Sequence, residues 1–370
     1  MKVLIATGLY PPEVGGPATY SKVLETELPQ RGIEVHVLPF SRVRHLPKIF
    51  RHVRYFFDIL REGKRADIIY AQDPVSVGLP TFFAARILRK RFLLKVVGDY
   101  AWEQASQRWG FEGTLEEFQY ADLPFMPRTV RFLERYVARR ALRVVVPSRY
   151  LAKVVGQWGA AKKNVSVIYN GMEKLADTGN KPVLRGLVRF NGKLIVSIGR
   201  LVPWKGFREL VGMLGRMKKD FPDIKLMIIG SGPDMASLEE EAAHKGLADD
   251  VIFTGALPRD VLLRYVRLSD VFVLNTRYEG FSHQILEVMA VGVPVVTTRI
   301  GGNPEAIEHE KNGFLVAPND TAKIEGYVRL LLSDTALRAR IVAAGKRKVA
   351  QFSDERMVAE TAKLLSVCMS

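Results

Sequence analysis

Apolar and polar positions along this 370-residue chain follow two rhythms. Short, nearly continuous apolar runs occur at residues 2–7, 66–71, 92–97, 193–198, 224–229, 251–254, 270–275, 293–298 and 313–316. Runs of that length, bounded by turn residues, predict strands buried on both faces, as in parallel sheets. Residues 32–39, which alternate, the VVVPSRYL stretch and residues 165–168 add three more. Between them the apolar spacing turns helical, first at 18–28, where Tyr20, Val23, Leu24 and Leu28 share a side. It does so again at 80–90, at 128–143 with Phe132, Leu133, Tyr136 and Val137 inward, and at 261–268, 284–290, 321–332 and 352–365. Residues 102–126 show no clean period and read as a loop-rich insertion; residues 172–189, polar with Gly179, Pro182 and Gly186, read as a linker. About six strand–helix units on each side of that linker predict an α/β protein of two doubly wound parallel-sheet, Rossmann-like domains.

Length agrees, since 370 residues exceed one typical core and fit two domains, here 1–173 and 174–351. A single cysteine, Cys368, rules out a disulfide framework within the chain, so a reducing, cytoplasmic setting is expected. The start, MKVLIATG, reads as a strand rather than a signal peptide, and no run approaches the ~18 apolar residues of a spanning helix. Charge changes the picture more. The formal net charge is +16, with +12 in residues 1–170 and +4 in the rest. The first half is therefore expected to meet something anionic, either lipid headgroups or a phosphorylated acceptor. Nucleic acid is not expected, because zinc-finger spacing and aromatic ribonucleoprotein motifs are missing. The basic residues concentrate at 42–61, where Leu46, Ile49, Phe50, Val53, Phe56, Phe57 and Leu60 recur at helical spacing among Arg42, Arg44, Lys48, Arg51, Arg54 and Arg61. That segment reads either as a helix lying on an anionic bilayer, on the inner face of the membrane, or as a core helix with a solvated face. Pro47 fits its first turn.

Candidate chemistry centres on YEGFSHQILEVMAVG, residues 278–292. Glu279 and Glu287 are separated by seven residues, with Glu279 in the loop before a helix and Glu287 about a turn inside it. Ser282 is the expected N-cap. A strand, a glycine-containing loop and a helix start leave outward-pointing amides that suit an anion, and two carboxylates suit a polyhydroxyl group attached to it. Arg200 and Lys205 follow another strand, as a planar fork and a point charge that fit a diphosphate. Near the start, Gly15 and Gly16 stand between a strand and a helix, where backbone can approach a phosphate closely. Asp99 ends the strand at 92–97, beyond which open α/β sheets bind ligands.

EGFSHQILE followed by A-x-G-x-P-V-V-x-T and GGNPE resembles the signature of the retaining glycosyltransferases of family 4, the group 1 glycosyltransferases. PPEVGG, VVPSRYL, VIYNGM, SIGRLVPWKG and IIGSGP stand in family order around it. The resemblance implies the GT-B fold, two Rossmann-like domains facing a cleft, with the C-terminal residues 352–370 crossing back to the first. It implies a nucleoside-diphosphate sugar as donor, no cofactor beyond it, and a glycan or lipid-linked acceptor. It gives Arg200 and Lys205 the departing phosphates, Glu279 the donor sugar's hydroxyls and Glu287 the ribose. Phe281 and Ser282 lie in the same donor motif, Gly230 and Leu257 are placed near base and ribose, and Gly15 and Gly16 near the diphosphate. No Asp-x-Asp occurs in the sequence, so fixed cations rather than a metal are expected to carry the leaving charge. The family often has a histidine where this chain has Gly98-Asp99, so Asp99 is a candidate for acceptor or sugar contact and equally for a structural turn. A sugar-nucleotide epimerase of similar fold and a non-catalytic membrane-docking scaffold are the alternatives. UDP- and GDP-sugars are not distinguished by any of these residues.

Overall fold

The computed structural model describes all residues except 14, 174, 176–178, 188–190 and 370, and not the side chains of Lys48, Ile49 and Leu187. Parts of the expected linker, and the side chains at two positions of the expected basic helix, thus lie outside what is described. The chain divides into two compact units, Met1–Gly171 with the stretch from Ser353 onward, and Met172–Phe352.

The first unit runs β1 (Lys2–Thr7), α1 (Gly16–Glu27), β2 (Glu34–Pro39), α2 (Lys48–Gly63), β3 (Ile68–Ala71), α3 (Gly78–Leu88), β4 (Arg91–Lys95), α4 (Tyr100–Arg108), α5 (Leu115–Tyr120), α6 (Phe125–Arg140), β5 (Arg143–Val146), α7 (Arg149–Gln157) and β6 (Val165–Val167). The second runs α8 (Lys181–Leu187), β7 (Leu194–Ile198), α9 (Phe207–Met217), β8 (Lys225–Ile229), α10 (Met235–His244), β9 (Val251–Phe253), α11 (Arg259–Leu268), β10 (Val271–Leu274), α12 (His283–Val291), β11 (Val295–Thr298), α13 (Asn303–Ala306), β12 (Phe314–Val316), α14 (Thr321–Ser333) and α15 (Thr335–Val349). The last helix, α16 (Asp354–Met369), belongs to the first unit, where Met357, Val358 and Leu365 pack with Val3, Leu24, Ile68 and Leu93.

Each unit holds a six-stranded parallel sheet, in order β2-β1-β3-β4-β5-β6 and β12-β11-β10-β7-β8-β9. In the first, Ile5 of β1 faces Val37 of β2 and Tyr70 of β3. The apolar runs account for the layering: β3, β7, β10 and β11 bury nearly every residue, because helices cover both faces. Each fully buried Leu, Ile or Val there contributes roughly 1.5–3 kcal/mol. The edge strands β2 and β6 are only partly covered. Each sheet has one point where strand order reverses, between β1 and β3 and between β7 and β10. Loops leaving the carboxyl ends of such strand pairs diverge and open a crevice where α/β sheets take ligands.

The structure differs from the sequence reading at four places. Residues 102–126 are not loop-rich. Asp99 caps α4 by accepting from the Trp102 amide at 2.7 Å, and Thr114 with Glu117 forms a capping box on α5. The predicted linker contains α8, held by Lys181 (2.8 Å) and Arg185 (2.7 Å) on Asp270. Burial alone would raise the Asp270 carboxyl, but Lys181, the Leu194 amide and Arg185 reverse this and hold it below its ordinary value. Residues 335–349, which have no predicted element, form α15, capped by Asp334. In α6, Val137 turns inward as expected, but Phe132 faces solvent and Glu134 is buried instead.

Glu134 accepts from the amides of Tyr100 (2.9 Å) and Ala101 (3.2 Å), with the Asp99 carboxyl close by. Burial, with the Asp99 charge beside it, pushes the Glu134 carboxyl well above its ordinary 4.5. Above that pH the unfolded chain gives up the Glu134 proton while the folded chain keeps it, so this site loses stability as pH rises. Glu134→Gln removes the titration, so its urea midpoint is expected to gain on wild type between about pH 4 and pH 8. A difference that does not change with pH would contradict this.

Candidate functional site

The second unit gathers the chemistry at the reversal between β7 and β10. Leaving β7, the chain passes Gly199 and Arg200, makes a single 3-10 turn at Pro203–Lys205 and enters α9. Leaving β10, it passes Asn275 to Phe281 and enters α12. The two loops are stitched together. The Arg277 amide donates to the Trp204 carbonyl at 2.7 Å, and the Asn275 side-chain amide to the Gly206 carbonyl at 3.3 Å. Lys205 Nζ lies 2.6 Å from Glu279 Oε2, each side chain about 15% exposed. Arg200 is exposed, and it has no carboxylate partner among the described residues. A partly buried lysine and an exposed guanidinium thus stand on the loop after β7, and the carboxylate that fixes the lysine stands on the loop after β10.

Glycines allow this closeness. Gly206 is left-handed at φ 62°, and a Cβ there would overlap Asn275. Gly301, at φ 57°, and Gly302 lie against the carbonyls of Glu279 and Gly280, where any side chain would collide with backbone. The Gly302 amide donates to the Glu279 carbonyl at 3.0 Å, so the loop after β11 props up the loop carrying Glu279. Gly230, after β8, presses on the Gly199 carbonyl. Glu279 is therefore held by its side chain through Lys205 and by its backbone through Gly302.

The neighbouring motif residues take distinct places. Ser282 caps α12, accepting from the Ile285 amide at 3.4 Å. The Phe281 ring is buried against the Phe352 ring, with 5.3 Å between centroids. Glu287 sits one turn inside α12 and accepts from Arg259 Nε at 2.8 Å through Oε1; Oε2 has no partner among the described residues. Burial disfavours the Arg259 charge, but Glu287 and Glu173 (2.9 Å) outweigh it and raise the guanidinium above its ordinary value. Leu257 is half-buried after β9. The structure thus brings Arg200, Lys205, Gly230, Leu257, Glu279, Phe281, Ser282 and Glu287 to the carboxyl ends of one sheet. Gly15, Gly16 and Asp99 belong to the first unit. There Gly15 and Gly16 open α1 after β1, at that sheet's own reversal. Asp99 is buried, with its oxygens on the Trp102 amide and on Gln119 Nε2 at 2.9 Å.

Arg259, Asn275 and Asp73 were not among the sequence candidates. Arg259 closes the GALPR stretch just after β9 and could have been found as the cation nearest that strand end. Asp73 lies just beyond β3, where burial pushes its carboxyl up to about 6 against hydrogen bonds from the Val77 and Val75 amides. Nothing in its surrounding sequence marks it.

The glycine constraint is directly measurable. Gly301→Ala is expected to cost roughly 2–4 kcal/mol in urea unfolding, since the methyl collides with the Glu279 carbonyl. Gly326→Ala, in open space on α14, is expected to stabilise by about 0.5–1 kcal/mol. Equal effects at the two positions would contradict the close packing of the loops.

Comparison with known proteins agrees with this geometry. The chain is 26% identical to an uncharacterized glycosyltransferase of Methanocaldococcus jannaschii over 100% of its own length and 99% of the relative's. It is 35% identical, over 41% of its length and 42% of the relative's, to a GDP-mannose-dependent alpha-(1-6)-phosphatidylinositol monomannoside mannosyltransferase of Mycolicibacterium smegmatis. Among solved structures, Anabaena HepE in complex with UDP-glucose superposes with a TM-score of 0.78 at 21% identity, covering 99% of this chain and 100% of that one, a likeness of fold. Residues 3–171 match the family described as "Glycosyl transferase 4-like domain" and residues 187–348 that described as "Glycosyl transferases group 1". With one match spanning each sheet, and the paired glutamates and cations standing where the second sheet reverses, the chain belongs to the group 1 glycosyltransferases of GT-B type.

Proposed function

We propose that this enzyme transfers a hexosyl group from a nucleoside-diphosphate sugar to an acceptor hydroxyl, with retention of anomeric configuration and without a metal. The observation that carries the reading is the Lys205–Glu279 pair beside the exposed Arg200 at the β7/β10 reversal. As the bond between the anomeric carbon and the phosphate oxygen breaks, its electron pair leaves with the diphosphate. Preorganised cations stabilise that charge best in a partly desolvated site. Lys205, already fixed by Glu279, needs no reorganisation, and Arg200 adds a two-pronged contact. The acceptor oxygen forms the new bond on the face the diphosphate leaves, and its proton passes to the departing phosphate oxygen. Glu279 then grips sugar hydroxyls and stabilises positive charge developing on the ring.

Glu287 Oε2 is the acceptor offered to a ribose hydroxyl, while Arg259 holds Oε1 and fixes the carboxylate plane. The base would meet backbone near Gly230 and Leu257. The named relatives support both candidate donors, since HepE was solved with UDP-glucose and the mycobacterial enzyme is GDP-mannose-dependent. The latter's phosphatidylinositol monomannoside acceptor supports a lipid-linked acceptor here as well.

Lys205→Ala and Arg200→Ala are each expected to lower kcat about 100-fold, with EDTA leaving wild-type turnover unchanged. Glu279→Gln is expected to abolish transfer while the circular dichroism of the fold persists. The assay pairs UDP- and GDP-sugars with glycan and glycolipid acceptors and reads the product anomer by NMR. Wild-type turnover in Lys205→Ala, an inverted product, or loss of activity in EDTA would each overturn its part of the reading.

A further inference from the structure

Helices α2, α3 and α6 adjoin on one face of the first sheet, where their outer sides carry apolar residues that cover nothing in the protein. On α2, Phe50 (68% exposed), Val53 and Phe57 (58%) form one ridge with Arg54 and Arg61 at helical spacing. On α3, Phe83 and Ile87 flank Arg86; on α6, Phe125, Met126 and Phe132 (61%) continue toward Arg140. Among the described residues, the second unit exposes only two large apolar side chains, Val183 and Leu330. Ridges of contiguous exposed aromatics on a globular unit mark an interaction surface rather than chance exposure.

The occupant follows from charge and shape. Between α3 and α6 lies a hollow of about 370 Å³ lined by Phe82, Phe83, Arg86, Tyr136 and Arg140. Arg140 stacks over the Tyr136 ring at 3.9 Å, and among the described residues neither arginine has a carboxylate partner. The acids on this face are accounted for: Asp58 pairs with Arg54, Glu62 with Arg61, and Asp122 with Arg128. A second copy of the chain is a poor partner, because a two-fold contact would set the same arginines against each other. Aromatic side chains that enter an acyl boundary, with arginines level with phosphates, are the pattern of an interfacial helix. Among the described residues no helix is long and apolar enough to cross a membrane, so such a contact would be peripheral.

We infer that the outer face of α2, α3 and α6 docks on an anionic lipid bilayer, with lipid phosphates seated between Arg86 and Arg140. The inference stands apart from the transfer chemistry, since it uses only residues of the first unit. It makes the enzyme a surface-bound one whose acceptor lies in or near the same membrane.

The test is flotation of the full chain, without donor, on phosphatidylcholine vesicles with and without phosphatidylglycerol, together with nucleotide binding and sedimentation. Wild type is expected to float only with the anionic vesicles and to be released by high salt. Phe50→Ser with Phe57→Ser is expected to weaken binding at least tenfold, and Arg86→Glu with Arg140→Glu by about fivefold or more per arginine, with nucleotide affinity unchanged. Should the phenylalanine variant fail to fold, the arginine variant decides alone. Equal binding to neutral vesicles, no flotation, unaltered flotation of the variants, or a dimer that the same substitutions dissolve would each overturn the inference. Loss of nucleotide affinity in wild type would instead contradict the proposed transfer and leave the vesicle result standing.

Discussion

The second unit's loop geometry depends on one ion pair, Lys205 with Glu279. These residues lie far apart in sequence, yet their charged atoms are 2.6 Å apart, and both side chains are mostly removed from solvent. A pair in that setting adds little net stability, because its desolvation offsets much of its attraction. Removing one partner is different, since it leaves a charge unpaired where water reaches it only in part. The pair therefore acts as a positional constraint. It fixes the ends of two diverging loops relative to the sheet before any ligand arrives, and preorganised charge of that kind lowers barriers to charge separation.

The same constraint explains the glycines. A lysine on one loop meets a glutamate on the next here, and the two backbones nearly touch. Gly206 meets Asn275, Gly301 meets Glu279 and Gly230 meets Gly199, and each contact leaves no room for a Cβ. Four separate stretches of sequence, the loops after β7, β8, β10 and β11, are in this way committed to one geometry. Buried hydroxyls and amides finish it: Thr298 Oγ1 donates to the Thr276 carbonyl at 2.6 Å, and Asn303 Nδ2 to the Thr298 carbonyl at 3.1 Å. The first unit has the same sheet logic but different contents. Its strand ends carry glycines and buried carboxylates, while its outer helices carry the exposed aromatics and arginines.

Much of this was legible in the amino-acid order. Strands buried on both faces must be apolar throughout, so β3, β7, β10 and β11 announce themselves, and a chain of such strands with helices between has few topologies open to it. The placement of the glutamate pair, Arg200 and Lys205 was legible because they sit in loops or a helix start next to easily recognised strands. What escaped was set by tertiary contact. Helix α8 is short and anchored by Asp270, and α4 depends on Asp99 and Glu134, which lie 35 positions apart in sequence. Phe132 and Phe57 obey helical spacing but point outward, because Glu134 and Tyr55 occupy the inner side; spacing alone cannot tell the two faces of a helix apart when both carry apolar residues.

The central claim is that Lys205, with Arg200, recognises the diphosphate of the donor by fixed positive charge. Calorimetric titration of a nucleoside, its monophosphate and its diphosphate in EDTA tests it most directly. The account predicts that wild type gains affinity stepwise with each phosphate, and that Lys205→Ala largely erases the step from monophosphate to diphosphate while leaving the nucleoside's own binding unchanged. The same phosphate preference in Lys205→Ala as in wild type, or none in wild type until a divalent cation is restored, would contradict it.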